Sequence, residues 1–477
     1  MHKLIPLRAI ARPSEERFLP FAMPKELFGT DGIRGIPGEY PLDDQTLYAV
    51  GRSLGAYLRT AAGKISNHAN GPARVLLGMD TRESGPGIAA QLAAGLGAEG
   101  VTVSAAGIIS TPGVACLVRR ESFSAGAVIS ASHNPYHDNG VKLFAGTGMK
   151  FPDEVEAELE SEILRRRADP APSSDKLLSV DRSLDEDYLA FLRNCAIPGA
   201  NLGSLKIVLD CANGAACSLG PALFRSLGAN VVAIHDAPDG RNINAECGAL
   251  HPESLQAKVI EERAALGVAF DGDADRAIFV SASGRVVNGD GVLLVAARYL
   301  RAAGKLQGRR IVGTTMSNLG LERLLAAEGL TLVRVPVGDR YVLEEMVRTG
   351  SNLGGEQSGH VIFLDDATTG DGLLTALKMA GLVVLRGPLD SLVSDLKVFP
   401  QTIINVKVRA RPPLESLPDV SRTLDEATRA LGNAGRVILR YSGTEPKARV
   451  MVEAERDEDV ALWAERLATA VRTAIGA

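Results

Sequence analysis

The sequence predicts an α/β protein with three similar α/β domains, whose sheets are mixed and mostly parallel, and a C-terminal α+β domain. One observation is the length, since 477 residues are too many for a single core and should form three or four domains. A second is a pattern that recurs three times: an apolar strand, a polar loop, a helix closed by glycine and another apolar strand. A third is the last part of the chain, where this pattern gives way to strands followed by helices.

Each recurrence of the pattern reads as a βαβ unit, in which two parallel strands flank a helix. The paired strands are predicted at 74–77 and 100–103, at 206–210 and 228–232, and at 310–312 and 329–333. Ligand sites in such sheets lie at the carboxyl ends of the strands. Polar residues that directly follow these strands are therefore the first candidates for a site.

The domain limits follow from composition. Residues 169–174 are rich in Pro and Ser and form a linker after the first unit. The C-terminal domain should be mostly antiparallel, with strands at 402–408, 436–439 and 449–453 and helices near 421–430 and 458–475. The predicted organisation is an extension at 1–24, domain I at 25–172, domain II at 173–302, domain III at 303–396 and domain IV at 397–477.

Composition excludes several classes of protein. A net charge of −5 and only 4% aromatic residues argue against a nucleic-acid partner. No apolar run approaches the roughly 18 residues that a membrane span needs. Five cysteines without a C-x-x-C pair indicate a reduced, cytoplasmic compartment. Residues 1–24 lack the apolar centre of a secretory signal, so we expect a disordered extension, with Met23 as an alternative start.

The sequence Ser-Ala-Ser-His-Asn-Pro at 130–135 follows a small apolar strand at 126–129. Pro prevents a helix from continuing here, which predicts a stiff loop that carries Ser132 as a nucleophile. Lys142 lies on the next short strand as a nearby cation. His133 follows Ser132 directly, and neighbouring side chains diverge on an extended backbone, so we do not expect His133 to activate the serine as a base.

Three carboxylates alternate after the apolar strand at 268–270, in the sequence Asp-Gly-Asp-Ala-Asp-Arg at 271–276. Asp271, Asp273 and Asp275 on one tight turn offer the hard oxygen ligands that Mg²⁺ prefers. An EF-hand is excluded, since its sixth position would be Arg276 instead of Gly. A phosphatase of the haloacid-dehalogenase type, with Asp271 as the nucleophile, is an alternative, because that chemistry also uses D-x-D after a strand.

Three further motifs could bind an anion or a sugar. Residues 440–446, with Arg449 beyond them, place two guanidinium groups around Ser-Gly-Thr and predict a phosphate cradle, with a plain hairpin as the alternative. The Gly-rich stretch 354–360 presents Glu356 and Ser358 for sugar hydroxyls, or is only a connecting loop. The stretch 28–35 offers Arg34 to an anion, or is a structural turn.

One motif is misleading. Gly95-Leu-Gly-Ala-Glu-Gly100 matches the dinucleotide-binding pattern G-x-G-x-x-G, but it ends a helix and precedes a strand. A dinucleotide site needs the reverse context, so we assign these glycines to packing and to the end of the helix. The sequence contains no Walker A motif, and ATP is not indicated.

Together these motifs resemble those of the α-D-phosphohexomutase superfamily, and most closely those of its phosphoglucosamine mutase branch. The resemblance runs in order along nearly the whole chain from about Lys25 onward. It assigns an arginine loop to 28–35, a phosphoserine loop to 129–135, a metal loop to 271–276, a sugar-binding loop to 354–360 and a phosphate-binding loop to 440–446. It also implies four domains arranged around one deep central cleft.

The resemblance further implies a role for each site residue. Ser132 would be phosphorylated and would complete a site for one Mg²⁺ with Asp271, Asp273 and Asp275. Lys142 would assist proton transfer, and His133, Arg276 and Arg34 would line the transferring phosphate. The substrate would be held by Glu356, Ser358 and His360 at the sugar and by Arg440, Ser442, Gly443, Thr444 and Arg449 at the phosphate that does not react.

The activity implied is the interconversion of glucosamine 6-phosphate and glucosamine 1-phosphate for the synthesis of UDP-N-acetylglucosamine in a bacterium. A sugar 1,6-bisphosphate would serve as intermediate or activator, and a homodimer and a priming kinase remain open as partners. The nearest alternative is a phosphomannomutase/phosphoglucomutase with the same mechanism. A non-catalytic phosphosugar sensor is the alternative from another class, and it predicts a missing motif, whereas every motif is present.

Overall fold

The computed structural model describes residues 26–29, 31–65, 72–172, 177–442 and 446–477. The predicted extension therefore lies outside the described residues. The rest divides into two compact units. The larger unit contains the chain up to Thr315 together with Val333–Val393, and the smaller unit contains Met316–Leu332 and Ser394–Ala477.

The first sheet of the larger unit has five strands in the order β1-β5-β4-β2-β3. Strand β2 pairs in parallel with β3 and β4, as the βαβ pattern predicts, and β5 runs antiparallel to β4 and β1. The elements are β1 (Ile33–Gly35), α1 (Asp44–Ile65), β2 (Arg74–Met79), α2 (Gly85–Ala98), β3 (Thr102–Ile108), α3 (Thr111–Arg120), β4 (Ala125–Ile129), β5 (Asn139–Ala145) and α4 (Asp153–Arg166).

The helix pair α1 and α2 explains the misleading glycine motif. A side chain at Gly95 would lie 2.3 Å from the carbonyl oxygen of Tyr48, and one at Gly51 would lie 2.3 Å from that of Leu92. Only glycine permits so close an approach of two helices. The structure thus confirms that Gly95 serves packing.

The second sheet has the order β10-β9-β8-β6-β7, in which β8, β6 and β7 are parallel and β9 and β10 form antiparallel pairs. Strand β8 reads Leu-Gly-Val-Ala-Phe and is buried throughout, as expected of a strand covered on both faces. The elements are α5 (Ser183–Asn194), β6 (Lys206–Asp210), α6 (Ala216–Ser226), β7 (Asn230–Ile234), α7 (Glu253–Glu262), β8 (Leu266–Phe270), β9 (Ala277–Ser281) and β10 (Val286–Val287).

The third sheet has four strands in the order β12-β11-β13-β14, with β11 parallel to β13 and β13 antiparallel to β14. Around β11, β13 and β14, the apolar residues Val312, Val342, Met346 and Ile362 form a small core. The elements in this part of the chain are α8 (Gly289–Ala302), β11 (Arg310–Thr314), α9 (Leu319–Ala327), β12 (Thr331–Val335), α10 (Asp339–Thr349), β13 (Leu353–Gly355), β14 (Val361–Phe363), α11 (Gly372–Arg386) and α12 (Leu389–Leu392).

The smaller unit contains the predicted α+β domain. Its three strands form an antiparallel sheet in the order β15-β17-β16, and two helices cover a core that includes Val450, Trp463 and Leu467. The elements are β15 (Gln401–Lys407), α13 (Pro418–Leu431), β16 (Gly435–Tyr441), β17 (Lys447–Ala454) and α14 (Asp457–Ile475). Among the described helices, none is long and apolar enough to cross a membrane.

Four strands of the first sheet, in the order β5-β4-β2-β3, match β9-β8-β6-β7 of the second, and this places the two central motifs at equivalent positions. Strand β4 of the first sheet corresponds to β8 of the second, and each is followed by an antiparallel strand. Ser132 follows the end of β4 at Ile129, and Asp271 follows the end of β8 at Phe270. Both motifs therefore lie at the carboxyl end of a buried strand, as the sequence predicts.

Candidate active site

The hydroxyl of Ser132 meets the acidic motif directly. Its Oγ donates a hydrogen bond of 2.6 Å to Oδ2 of Asp271, across 139 positions of sequence. Both residues are 1% exposed. The structure therefore brings together the two motifs that the sequence analysis placed at the centre of the chemistry.

The three carboxylates of the acidic motif converge as predicted. One oxygen each from Asp271, Asp273 and Asp275 lies within 4.8 Å of the other two, and all three residues are buried. Burial raises the pKa of Asp271 well above its usual range, and the charges of Asp275 and Asp273 raise it further. Such a cluster is stable in the ionised form only beside cations.

The donor set of this cluster fits a divalent cation of the Mg²⁺ type. The buried Oδ1 atoms of Asp273 and Asp275 have no hydrogen-bond partner in the described part of the chain. Hard carboxylate oxygens, together with an oxygen on Ser132, are the ligands such an ion prefers. The cluster is therefore a candidate metal site.

Lys142 supplies the nearest positive charge. Its Nζ lies 2.8 Å from Oδ2 of Asp273, 3.0 Å from Oδ2 of Asp31 and 3.6 Å from Oδ2 of Asp275. Burial alone would lower the pKa of Lys142, but these three carboxylates raise it well above its usual range. Burial alone would likewise raise the pKa of Asp273, but Lys142 and the hydroxyl of Thr111 hold it below its usual range. Lys142 is therefore a charged ammonium group at neutral pH.

A series of ion pairs connects Lys142, through Asp31 and Lys150, to helix α10. Asp31 also binds Lys150, whose Nζ lies 2.6 Å from Oδ1 of Asp31 and 2.6 Å from Oδ2 of Asp339. Asp339 begins helix α10 and lies 4.0 Å from Nε2 of His360. Asp31, which belongs to the predicted arginine loop, therefore lies between two lysines.

Arg34 and Arg276 both lie beside the Ser132 loop. The guanidinium of Arg34 donates to Oδ2 of Asp31 at 2.7 Å and to the carbonyl oxygen of Ala131 at 3.4 Å. Nε of Arg276 lies 3.7 Å from Asp275 and 4.0 Å from Asp271. These two guanidinium groups place positive charge beside Ser132, and guanidinium groups are well suited to bind an anion.

The expectation for His133 rested on a wrong backbone geometry. Ser132 has a φ of +51°, which is left-handed and not extended, and its Oγ lies 3.3 Å from Nδ1 of His133. The two side chains therefore meet instead of diverging. Burial lowers the pKa of His133 to about 4, with Arg276 and Arg34 contributing, so the ring is neutral at pH 7. A neutral imidazole at this distance can accept a proton from a hydroxyl.

The predicted sugar loop forms the turn between β13 and β14. Oε1 of Glu356 accepts the backbone N–H of Gly338 at 3.0 Å, and the hydroxyl of Ser358 lies 3.5 Å from its Oε2. Nε2 of His360 accepts the N–H of Gly370 at 3.2 Å, while its buried Nδ1 has no hydrogen-bond partner among the described residues. Glu356 and Ser358 are thus neighbours, as the sequence predicts.

The predicted phosphate cradle belongs to the smaller unit. Arg440 and Arg449 face each other across the β16–β17 pair, and burial together with the charge of Arg449 lowers the pKa of Arg440. Ser442 is buried, and its N–H donates to the carbonyl of Lys447 at 2.8 Å. Gly443 and Thr444 lie outside the described residues.

Several residues of the site were missed by the sequence analysis. Thr111, at the start of α3, donates its hydroxyl to Oδ2 of Asp273 at 2.5 Å. Asp80 and Arg82 follow strand β2 and form a completely buried ion pair beneath the Ser132 loop. Each of these residues follows the end of a parallel strand, and that position was the signal that could have identified them.

Comparison with known families identifies the lineage of this site. Models of the phosphoglucomutase/phosphomannomutase family match the chain at 25–169 (alpha/beta/alpha domain I), 186–284 (domain II), 288–399 (domain III) and 403–470 (C-terminal domain). A phosphoglucosamine mutase of Solibacter usitatus is 53% identical over 455 residues, which are 95% of this chain and 100% of the relative. The chain belongs to the phosphoglucosamine mutase family.

Other members of the family agree with this assignment. The phosphoglucosamine mutase of Koribacter versatilis is 49% identical over 95% of this chain and 98% of its own length. A phosphoglucomutase/phosphomannomutase family protein of Burkholderia thailandensis superposes with a TM-score of 0.74 at 25% identity, over 93% of this chain and 97% of its own. The fold alone is shared with the N-acetylphosphoglucosamine mutase of Aspergillus fumigatus, solved with GlcNAc-6P and magnesium (TM-score 0.64, 18% identity, 95% and 97% covered).

Proposed function

We propose that this protein interconverts glucosamine 6-phosphate and glucosamine 1-phosphate by carrying a phosphoryl group on Ser132. The observation that supports this most strongly is the 2.6 Å contact between Oγ of Ser132 and Asp271, beside two further buried carboxylates. A serine hydroxyl is a weak acceptor of a phosphoryl group unless charge on the transferring group is stabilised. Membership of the phosphoglucosamine mutase family supplies the substrate class.

The metal site would hold one Mg²⁺ through Asp271, Asp273, Asp275 and an oxygen on Ser132. When bound, this ion stabilises negative charge on the transferring phosphoryl group. The Oδ1 atoms of Asp273 and Asp275, which have no hydrogen-bond partner among the described residues, support the ligand assignment.

In the transfer, one phosphoryl group moves from one oxygen to another. The bond between phosphorus and Oγ of phospho-Ser132 breaks as a bond forms between phosphorus and a hydroxyl oxygen of the bound sugar phosphate. The hydroxyl proton is given up to the enzyme, and Oγ recovers a proton. The product of this half-reaction is a sugar 1,6-bisphosphate, which returns its other phosphoryl group to Ser132 after turning end for end.

Lys142 would keep positive charge beside the reacting phosphoryl group and donate a proton where an oxygen leaves. Its three carboxylate partners hold it in the charged form, which suits it to an acid more than to a base. The neutral His133, 3.3 Å from Oγ, would line the phosphate together with Arg34 and Arg276.

The rest of the substrate would be held by two loops. Glu356, Ser358 and His360 would bind the sugar, since a carboxylate and a hydroxyl side by side can pair with sugar hydroxyls or with an ammonium group. The phosphate that does not react would be gripped by Arg440, Ser442, Gly443, Thr444 and Arg449. This cradle must accept either end of the bisphosphate, because both ends react in turn.

The proposal extends to the setting of the enzyme. A sugar 1,6-bisphosphate would act as intermediate or activator, and the product would enter the synthesis of UDP-N-acetylglucosamine in the cytoplasm. A homodimer and a priming kinase are further partners that fit the scheme. The proposed domains are domain I at 25–172, domain II at 173–302, domain III at 303–396 and domain IV at 397–477.

Steady-state kinetics test the substrate. The protein, supplied with Mg²⁺ and a trace of the matching bisphosphate, should give a higher kcat/KM with glucosamine 1-phosphate than with glucose 1-phosphate or mannose 1-phosphate. A preference for glucose or mannose phosphate would favour a phosphomannomutase/phosphoglucomutase. No turnover of any hexose phosphate by a metal-loaded, phosphorylated sample would refute the proposal.

A further inference from the structure

Arg82 lies beneath the Ser132 loop, and all three nitrogens of its guanidinium group donate hydrogen bonds. It is 1% exposed, and its two terminal nitrogens donate to four backbone carbonyls of that loop. Nη2 donates to the carbonyls of Ser132 at 3.0 Å and Asn134 at 2.8 Å, and Nη1 donates to those of Pro135 and Asp138. A single guanidinium group therefore fixes the loop from Ser132 itself to Asp138.

Asp80 and Ser130 complete the support from the first sheet. Oδ2 of Asp80 accepts from Nε of Arg82 at 2.9 Å and from the hydroxyl of Ser130 at 2.6 Å. The same hydroxyl of Ser130 accepts the backbone N–H of Ser132 at 2.9 Å. The peptide of Ser132 is thus held at its N–H through Ser130 and at its carbonyl through Arg82.

Asn244, from the second sheet's part of the chain, holds the same carbonyls. Its Nδ2 donates to the carbonyl of Ser132 at 2.9 Å and to that of Asn134 at 3.1 Å. Gly272 makes room for this contact, since a side chain there would lie 2.5 Å from the carbonyl oxygen of Ser132 and 2.8 Å from Nδ2 of Asn244. Both carbonyls therefore accept one hydrogen bond from Arg82 and one from Asn244.

These contacts coincide with an unfavourable backbone conformation. Ser132 has a φ of +51°, a region that residues other than glycine adopt rarely. Such a conformation persists only where the surroundings enforce it, and it is found most often at functional positions. In this conformation Oγ points to Asp271 at 2.6 Å.

We propose that Arg82 and Asn244 are positioning residues for phosphoryl transfer. They keep the Ser132 peptide left-handed, with Asp80 and Ser130 as their support, so that Oγ stays aligned with the acidic cluster. The inference rests on the proposed function, because it concerns the same serine. We call the pair Arg82 and Asn244 the clamp. A misplacement of about 1 Å can cost roughly 100-fold in rate, so loosening the clamp should lower kcat more than it changes KM.

The test compares two clamp variants with one matched control. Asn244→Gly removes the amide, and glycine accepts the φ of +57° at that position without strain. Arg82→Lys keeps the charge but has too few donors to serve Asp80 and four carbonyls. Arg166→Lys is the control, since Arg166 is also well buried and bonds to Glu99 and Glu162 away from the site.

Each variant would be measured in three ways. Steady-state kinetics give kcat and KM for glucosamine 1-phosphate, ³¹P NMR gives the resonance of the phosphoserine, and thermal unfolding gives Tm. For both clamp variants we expect a kcat lowered roughly 10- to 100-fold, a KM within about twofold of the parent, and a shifted or broadened phosphoserine resonance. Arg166→Lys should keep the parent kcat and resonance.

Clamp variants with the parent kcat and the parent ³¹P resonance would overturn the inference. It would also be overturned if kcat fell only in proportion to a lowered Tm while the resonance stayed unchanged. If Arg82→Lys does not fold, Asn244→Gly alone decides. The parent protein separates this result from a failure of the proposed function. A parent without mutase activity or phosphoserine refutes the proposed function, whereas an active parent with unaffected Asn244→Gly refutes only the clamp.

Discussion

Nζ of Lys142 lies 2.8 Å from Oδ2 of Asp273, so a cation of the protein is already in contact with the predicted metal ligands. Lys142 is 2% exposed and Asp273 is fully buried. Removing one partner of a buried ion pair leaves the other uncompensated. The positive charge of Lys142 therefore helps to keep Asp273 ionised, because it lowers the pKa of that carboxyl group.

The first prediction concerns this lysine. Lys142→Met should lower kcat by roughly 10²- to 10⁴-fold, because it removes both the proton donor and the positive charge beside the transferring group. KM should change much less than kcat, since the proposed role of Lys142 is at the reacting group and not at the parts of the substrate that do not react. Lys378→Met is the control, because Lys378 is also largely buried but pairs with Asp366 outside the site. A Lys142→Met enzyme with the kcat of the control would rule out the proposed role.

The second prediction concerns Thr111, whose hydroxyl donates to Oδ2 of Asp273 at 2.5 Å. Thr111→Val keeps the shape and removes the donor, so the carboxylate loses the partner that orients it. The Mg²⁺ concentration for half-maximal activity should rise about 10- to 100-fold, as is usual when a group that orients a metal ligand is lost. Thr111→Ser retains the hydroxyl and should behave like the parent. Equal Mg²⁺ requirements for the valine and serine variants would contradict the assignment.

The third prediction concerns pH and Asp371, which is buried at the start of α11 and accepts from the hydroxyl of Tyr188 at 2.8 Å. Burial raises the pKa of Asp371 to about 6. The native state therefore binds a proton that the unfolded chain, with an ordinary Asp pKa near 3.9, has already released. Stability from this group is complete below about pH 4 and is lost as the pH rises through 6.

The difference is measurable by urea unfolding. Asp371→Asn cannot ionise, so its free energy of unfolding, relative to the parent, should rise between pH 4 and pH 7 by at most about 3 kcal/mol. Asparagine can still accept the N–H of Leu374, which caps the helix in the parent. A constant difference between the two proteins across this pH range would show that Asp371 titrates normally.

The fourth prediction concerns Glu160 on helix α4. Its carboxylate accepts three successive backbone N–H groups, from Glu26 at 2.6 Å, Leu27 at 3.0 Å and Phe28 at 2.9 Å. Glu160→Gln keeps the shape but weakens these charge-assisted bonds, and should lower the free energy of unfolding by about 1–3 kcal/mol. Glu158→Gln, on the exposed face of the same helix, should change it by less than about 0.5 kcal/mol. Equal effects of the two substitutions on the free energy of urea unfolding would refute a role of Glu160 in holding residues 26–28.

The candidate site residues that sequence predicts best are those that directly follow a buried strand within one short stretch. Ser132 and the carboxylates of the acidic motif directly follow buried strands, and the structure brings them to one place. The βαβ pattern likewise predicted the parallel pairs β2–β3 and β6–β7 of the first two sheets. In each case the local pattern determines both the strand and the side chains that lie at its carboxyl end.

The residues that the sequence did not reveal act over long distances. Arg82 binds a loop 50 or more positions away, and Asn244 binds the same loop from 112 positions away. No local spacing encodes such contacts, because the packing of two sheets creates them. The left-handed φ of Ser132 is a consequence of these contacts, and the wrong expectation that the side chains of Ser132 and His133 diverge came from assuming an extended backbone.

Intact mass spectrometry of the protein tests the central claim most directly. After incubation with a sugar 1,6-bisphosphate and Mg²⁺, the parent should gain about 80 Da, the mass of one phosphoryl group, and peptide mapping should place it on Ser132. Ser132→Ala should gain no mass and should not turn over glucosamine 1-phosphate. A phosphoryl group on Asp271 that hydroxylamine removes, or an undiminished turnover by Ser132→Ala, would contradict the account.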